Sequence, residues 1–424
     1  MCSKICADDR WVTVFLHGGG AHPLYLNISD TFKILHDDIL KSVYAKTTDS
    51  LREDPYFMKL QPQDREGMVR VWPLTEEKPI EEYSGGEIFG YMFNEINNLV
   101  GLPPTEIYAF GWSSRLSCKS RREAAVNLYE ALKKLYYEII RQGDIPHFRI
   151  IAYSHGGNVA LHLGEAARNN GYTPFTIEQL IMISTPIHAN TQFYLDNELY
   201  KDIYLFYSKG DNIQSSDFMS SPTNSFAHHY FLKKEGPLPK KVTQVQMRIF
   251  RTHIKIPQKD GTFHSMPRYE MVHPNHTEMF FFGWTPEWYR KYFPIRPLSV
   301  GLLLPLYLKD IQEHHLQGKH LRFTLRPEDE TLQIKIKNGT QKTNELNLPF
   351  FTKKELTRLR KELQQFKPPH VQFKEYHKRM KEHWETAKQS VRDTKKRNAK
   401  IRRQKKELEG QPICNVSLFA QAVK

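Results

Sequence analysis

The stretch RIIAYSHGGNVALHL (residues 149–163) decides how the rest of the chain is read. An apolar, β-branched run ends on Ser154, small residues surround it, and helical spacing begins at once. The pattern predicts a strand, a sharp turn and a helix. Strand and helix pass so closely at such a turn that Gly is normally needed two positions before and after the Ser. Here Ala152 and Gly156 hold those places. The turn would force Ser154 into a strained conformation and expose its Oγ. The His155 N–H, at the start of the helix, would face a developing oxyanion.

Working outward, WVTVFL (Trp11 to Leu16) reads as a buried strand that runs into His17-Gly18-Gly19-Gly20. EIYAFGW, HFRIIAYS, LIMIS and DIYLFYS are further strand candidates, and VQMRIFRTHI (Val245 to Ile254) is expected to be the last strand of this set. RREAAVNLYEALKKLYYEII places Ala124, Leu128, Leu132, Leu135 and Ile139 on one helical face. Gly171 closes the helix after Ser154. Strands alternating with helices predict a parallel sheet built by right-handed crossovers. In such sheets chemistry sits at the carboxyl ends of strands. His17, Ser154, Asp211 and the pair His273 and His276 all fall just after strand ends.

A hydroxyl nucleophile needs a base, and the base needs an orienting acid. Asp211 lies in a Lys-Gly-Asp turn after DIYLFYS, and His276 lies in the loop after the next strand candidate, with His273 its rival. The oxyanion donors are assigned to the N–H of His155 and to Gly18 or Gly19, whose missing side chains let the backbone approach a reacting carbonyl. His17 reads as a structural residue that positions this loop. Ser113 and Ser114 read as loop residues.

The ordered set FLHGGG, AYSHGG, STPIH, SKGD and HPNHTEM resembles the α/β-hydrolase superfamily, in particular its lipase- and esterase-like serine hydrolases, over roughly residues 10–285. The resemblance implies an α/β fold with a mostly parallel central sheet flanked by helices, a Ser–Asp–His triad, an oxyanion hole and hydrolysis of an acyl ester. Carried onto this chain, Ser154 would be the nucleophile, Asp211 the acid and His276 the base. No metal or organic cofactor is implied. Residues 21–104 are longer than a crossover needs and are expected to form a cap, which leaves lipase, esterase, thioesterase and peptidase chemistry open.

Three regions follow from this reading: a body over 1–295 with the cap insertion at 21–104, a β-hairpin extension over 296–350, and a basic helical tail over 351–424. HLRFTLR and TLQIKIK alternate apolar and polar residues across a PEDE turn, as a hairpin does. In the tail, Leu356, Leu359, Leu363 and Phe366 follow the heptad spacing of a coiled coil. Pro368 and Pro369 then separate a second helix carrying Phe373, Tyr376, Met380, Trp384, Ala387 and Val391.

The net charge of +14 is concentrated in this tail: residues 351–410 hold 20 Lys and Arg against 8 Asp and Glu, and the remainder is nearly balanced. Basicity therefore points to an anionic membrane or nucleic acid as partner of 351–410 only. A competing expectation is a catalytically degenerate body that delivers the tail to nucleic acid, membrane or a partner protein. Four Cys give no disulfide framework and no zinc spacing. His314, His315 and His320 fit no standard metal set. Asp8, Asp9 and Arg10 interrupt the apolar run a signal peptide needs, so a cytoplasmic location is expected.

Overall fold

A computed structural model describes residues 9–19, 33–34, 36–40, 42–60, 67–188, 191–217, 226–232, 237–257, 263–284, 289–290, 292–337 and 345–409. Gly20, Cys2, Cys6 and Cys414 lie outside these residues, as do residues 21–32, 35, 41 and 61–66 of the expected cap.

The protein belongs to the α/β class, with a mixed sheet of eleven strands and flanking helices. Strand β1 (Asp9–Leu16) lies third from one edge of the sheet, parallel to β3 (Glu106–Gly111) on one side and to β4 (Ile145–Tyr153) on the other. From β4 the parallel series continues through β5 (Ile177–Ile183), β6 (Tyr200–Tyr207) and β7 (Val242–Pro257). Beyond β3, strand β2 (Gly67–Trp72) closes the other edge in antiparallel pairing.

Alternate residues of one strand serve opposite layers. Val12, Val14 and Leu16 pack with α4 (Cys118–Gln142) and α5 (His155–Asn169), while Phe15 packs with α3 (Gly85–Leu99). Burial on both faces explains why these strands read as continuous apolar runs. Helix α4 starts on Ser117, whose side chain accepts the Ser120 N–H, and stops at Gly143 in the left-handed region.

Three features depart from expectation. First, β7 is not the end of the series: β8 (Phe263–Val272) folds back antiparallel on it, and β9 (His320–Arg326) pairs parallel to its first half. The hairpin of β9 and β10 (Thr331–Ile336), with an unforeseen β11 (Glu345–Pro349), therefore continues the same sheet. Second, the later part of the expected cap builds the sheet instead. β2 is its edge, and α3 buries Phe89, Met92, Phe93 and Ile96 against it.

Third, the tail helices do not coil on each other. Helix α9 (Lys353–Gln365) buries Leu356, Leu359 and Leu363 in the body's own core, with Phe366 against Tyr83 and Tyr91. The heptad spacing serves that docked face. Helix α10 (His370–Glu409) lies along α1 (Val43–Glu53) and α2 (Pro55–Leu60). Met380 meets Leu51 and Phe57; Ala387, Val391 and Trp384 meet Val43. His383 bridges Ser50 and Asp54 at 2.5 and 2.9 Å. From Arg392 to Gln404 every residue of α10 is exposed. No described helix is long and apolar enough to cross a membrane.

Candidate active site

Ser154 occupies the N-cap of α5 with φ 52° and ψ −128°. A non-Gly residue in this region stores on the order of 1–3 kcal/mol of strain, so its surroundings must hold it there. They do so through the Ser154 N–H donating to Ile183 O at 2.8 Å and the Gly157 N–H donating to Ser154 O at 3.0 Å. Gly156 is a steric necessity: a Cβ there would lie 2.4 Å from the carbonyl oxygen of His17. Ala152 has no such constraint. Its methyl is buried in the layer that holds Val159 and Ala160. The crowding at the turn thus falls on one side of Ser154, and the sequence departs from Gly on the other.

Three side chains far apart in sequence converge here. His276 Nε2 lies 3.1 Å from Ser154 Oγ, and His276 Nδ1 lies 2.8 Å from Asp211 Oδ2. Each oxygen of Asp211 has its own task, because Oδ1 accepts the Gln214 N–H at 2.9 Å and caps α6 (Asn212–Ser216). Asp211 is fully buried. Burial alone would raise its carboxyl pKa, but the charge and hydrogen bond of His276 and the Gln214 N–H together bring it below the usual value. The carboxylate is therefore held ionised.

His276 is fixed by the start of α7 (His276–Phe280). Asn275 and Glu278 form a reciprocal capping box, and the buried Glu278 also takes the Arg290 guanidinium. Tyr153, the residue before Ser154, donates its hydroxyl to His276 O at 3.0 Å and lies against the imidazole at 4.9 Å between ring centroids. His273 does not approach Ser154 through any described bond. Its carbonyl packs where Gly210 lacks a side chain and accepts from Arg290.

The glycine loop lies directly over the turn. A Cβ on Gly18 would meet Ser154 Cβ at 2.8 Å, and one on Gly19 would meet the His155 ring at 3.3 Å. His17 holds this loop from beneath. Its Nε2 accepts the Trp112 N–H at 3.1 Å, so the proton sits on Nδ1, which donates to Gly18 O at 2.7 Å. Trp112 Nε1 donates to His17 O, and the two rings stack. Burial pushes the His17 pKa far down, as a neutral structural imidazole requires. N–H and C=O of one peptide point in opposite directions. Pinning Gly18 O to His17 therefore turns the Gly19 N–H away from His17.

Some partners at the site had no sequence signal. Ser114, at φ 58°, places Oγ 3.2 Å from His17 Nδ1 and accepts from Arg52. His188 bonds Asp217 at 2.9 Å, and His155 Nε2 lies 3.6 Å from the same carboxylate. Burial brings the His155 imidazole down to about 3 despite Asp217, so it is neutral at ordinary pH. Thr185 fills the space that Gly157 leaves open. Single polar residues in loops carry no pattern from which these pairings could be read.

The three histidines near residue 315 do not come together as one set: His320 lies on β9 and bonds Tyr207, while His314 and His315 follow α8 (Leu304–Glu313). Among the described residues no cluster of His, Cys, Asp or Glu suits a metal ion.

No family model and no curated protein matches the chain. Among solved structures it is similar to a hyperthermophilic esterase from the archaeon Pyrobaculum calidifontis, at 14% identity and a TM-score of 0.23, over 52% of this chain and 78% of that one. It is also similar to the phospholipase PlaB from Legionella pneumophila, in complex with thio-NAD, at 10% identity and a TM-score of 0.25, over 80% of this chain and 67% of that one. Both likenesses are remote.

Proposed function

We propose that the protein is a serine hydrolase that cleaves a carboxylic ester through Ser154, His276 and Asp211. The observation that carries this reading is the imidazole of His276 set between Ser154 Oγ at 3.1 Å and Asp211 Oδ2 at 2.8 Å. Ser154 Oγ attacks the acyl carbonyl carbon while His276 Nε2 takes its proton. The tetrahedral oxyanion accepts the N–H groups of His155 and of the Gly18–Gly19 loop. His276 then protonates the departing alkoxide, leaving an acyl-enzyme and a free alcohol. Water attacks the acyl-enzyme with His276 again as base, releasing the acid and restoring Ser154. Asp211 holds the Nδ1–H tautomer and balances the imidazolium charge in each half.

The strained backbone of Ser154 supports this reading independently, since strain of this kind is retained where it positions a reacting group. An active-site-directed fluorophosphonate tests it. Wild-type protein is expected to label on one serine and Ser154→Ala not at all. Folded wild type that resists labelling and leaves short acyl esters intact would sink the proposal.

A further inference from the structure

On the face of the sheet opposite α8 and α9, at its β7–β9–β10 end, Lys335 beside Arg322 pairs with Glu345 at 2.6 Å and Arg326 pairs with Asp329 at 3.2 Å, but four further cations there have no such partner among the described residues. Register puts Gln246 of β7 opposite both Tyr207 of β6 and Arg322 of β9, and puts Arg248 opposite Thr324. Lys337 returns beside His320, its N–H bonded to His320 O. Lys209 enters from the end of β6. None of Lys209, Arg248, Arg322 and Lys337 lies within ion-pair distance of a carboxylate among the described residues.

Two of their donors are also unspent. Nε of Arg248 and Nε of Arg322 are shielded from solvent and have no hydrogen-bond partner among the described residues. One Arg248 amino group reaches the Thr324 hydroxyl at 3.1 Å. Gln246, 2% exposed, leaves its amide oxygen unpartnered between these groups. Lys337 donates to the Tyr207 hydroxyl at 3.0 Å, and that hydroxyl donates onward to His320 Nε2 at 2.7 Å. Buried donors are rarely left without acceptors. Like charges gathered in partial burial oppose folding unless an anion joins them.

The electrostatic consequences run in one direction. Burial, and then Arg322, Lys209 and Arg248, bring the Lys337 ammonium down to about 8. Burial and Arg322 lower Arg248 as well. His273, three residues before His276, is lowered by burial and then by Arg248, Lys209, Arg290 and Arg322. In the chain itself Lys209 stands two residues before Asp211, and Gly210 packs so closely on His273 that a Cβ there would lie 2.5 Å from His273 O, so the cluster borders the two loops that carry Asp211 and His276.

We infer that Lys209, Arg248, Arg322 and Lys337 bind a phosphate group, carried by the ester that the Ser154 site cleaves. Four cations call for more than the single charge of a carboxylate. Guanidinium forks with free donors match phosphate oxygens two at a time. The substrate would then be a phosphorylated ester, with its acyl carbon at Ser154 and its phosphate at the β7–β9 face. This assignment of substrate rests on the hydrolase reading, but phosphate binding itself does not.

Calorimetric titration on the full-length Ser154→Ala chain separates the two. The probes are inorganic pyrophosphate and monomeric dihexanoyl phosphatidic acid, with dihexanoyl phosphatidylcholine as the zwitterionic control. Arg248→Gln with Arg322→Gln is expected to weaken binding of at least one anionic probe tenfold or more, while melting temperature holds or rises because repulsion is relieved. Loss for both probes identifies a lipid-linked phosphate; loss for pyrophosphate alone identifies a soluble phosphate ester. Lys337→Met provides a second variant should the double one fail to fold. Equal affinity of parent and variants for both probes, or no binding by the parent, overturns the inference and leaves the labelling of Ser154 unaffected.

Discussion

Gly18 and Ser154 approach so closely that a Cβ on Gly18 would lie 2.8 Å from Ser154 Cβ and 3.4 Å from Ser154 Oγ. The loop after β1 and the turn after β4 thus share one surface, because β1 and β4 run parallel with Leu16 beside Ala152. Gly18→Ala must push the loop away from Ser154. Under the proposed chemistry the expected result is a fall in kcat of about 10²–10³, the usual effect of losing one oxyanion donor. KM for a short acyl ester should change by only a few-fold. Steady-state kinetics on that ester checks it.

Exchange of the two small residues on either side of Ser154 should destabilise in both cases, for different reasons and by different amounts. Gly156→Ala sets a methyl against the His17 carbonyl at 2.4 Å, backbone against backbone, and should destabilise by about 1–3 kcal/mol. Ala152→Gly, which restores the usual elbow, should cost about 0.5–1 kcal/mol through backbone entropy and raise no rate. Denaturant titrations of both variants decide this, and a faster Ala152→Gly enzyme would contradict it.

Asp211→Asn retains the shape that caps α6 but removes the charge facing His276 Nδ1. Under the proposed chemistry kcat should drop by about 10⁴, with the fold retained by circular dichroism. A loss below tenfold would remove Asp211 from the acid role.

Acid should destabilise the protein through its buried imidazoles. His155 falls from 6.5 to about 3 and His162 to about 4, each chiefly by burial, and His17 is lowered as well. In the unfolded chain these groups take up protons below about 6.5, whereas the folded chain does not bind them until far lower pH. The unfolded state then binds more protons, so stability is complete above about 6.5 and is lost as pH falls toward 3. Asp211, whose pKa is also lowered, adds to the loss at the acidic end. Melting temperatures should decline steadily from pH 7 to pH 5, and His155→Gln should flatten part of that decline.

Cutting the chain should separate its last two helices. Leu359 and Leu363 are fully buried and Leu356 is 2% exposed, so each Leu→Ala exchange should cost about 2–5 kcal/mol. A chain ending at 349 loses all three and should not melt cooperatively. A chain ending at 391 keeps every buried contact of α10 and should melt within a few degrees of full length. Calorimetry of the two truncations checks the difference.

What could be read from the sequence was local. The strand, the turn at Ser154 and the helix after it are neighbours in the chain, and their spacing carries the geometry. Asp211 and His276 could be picked out as candidates because parallel strands deliver loop residues to one edge. The partnership of β7 with β9 was not legible, since no short pattern announces that residue 245 will lie beside residue 321. Nor was the docking of α9: Leu356, Leu359 and Leu363 repeat as they would in a coiled coil, and only the sheet below shows what they cover. His188 and Asp217 stand 29 positions apart in irregular chain, where periodicity has nothing to say.

The place of β7 in the sheet has a consequence for biosynthesis. During translation, Val245, Met247 and Ile249 emerge more than seventy residues before the strand that will flank them. Until β9 leaves the ribosome, that stretch presents an open edge with an apolar face, the kind of surface on which nascent chains associate. Ribosomes stalled before residue 320 should therefore carry an aggregation-prone species that a trigger-type chaperone would protect, whereas chains released beyond residue 366 should need no such help.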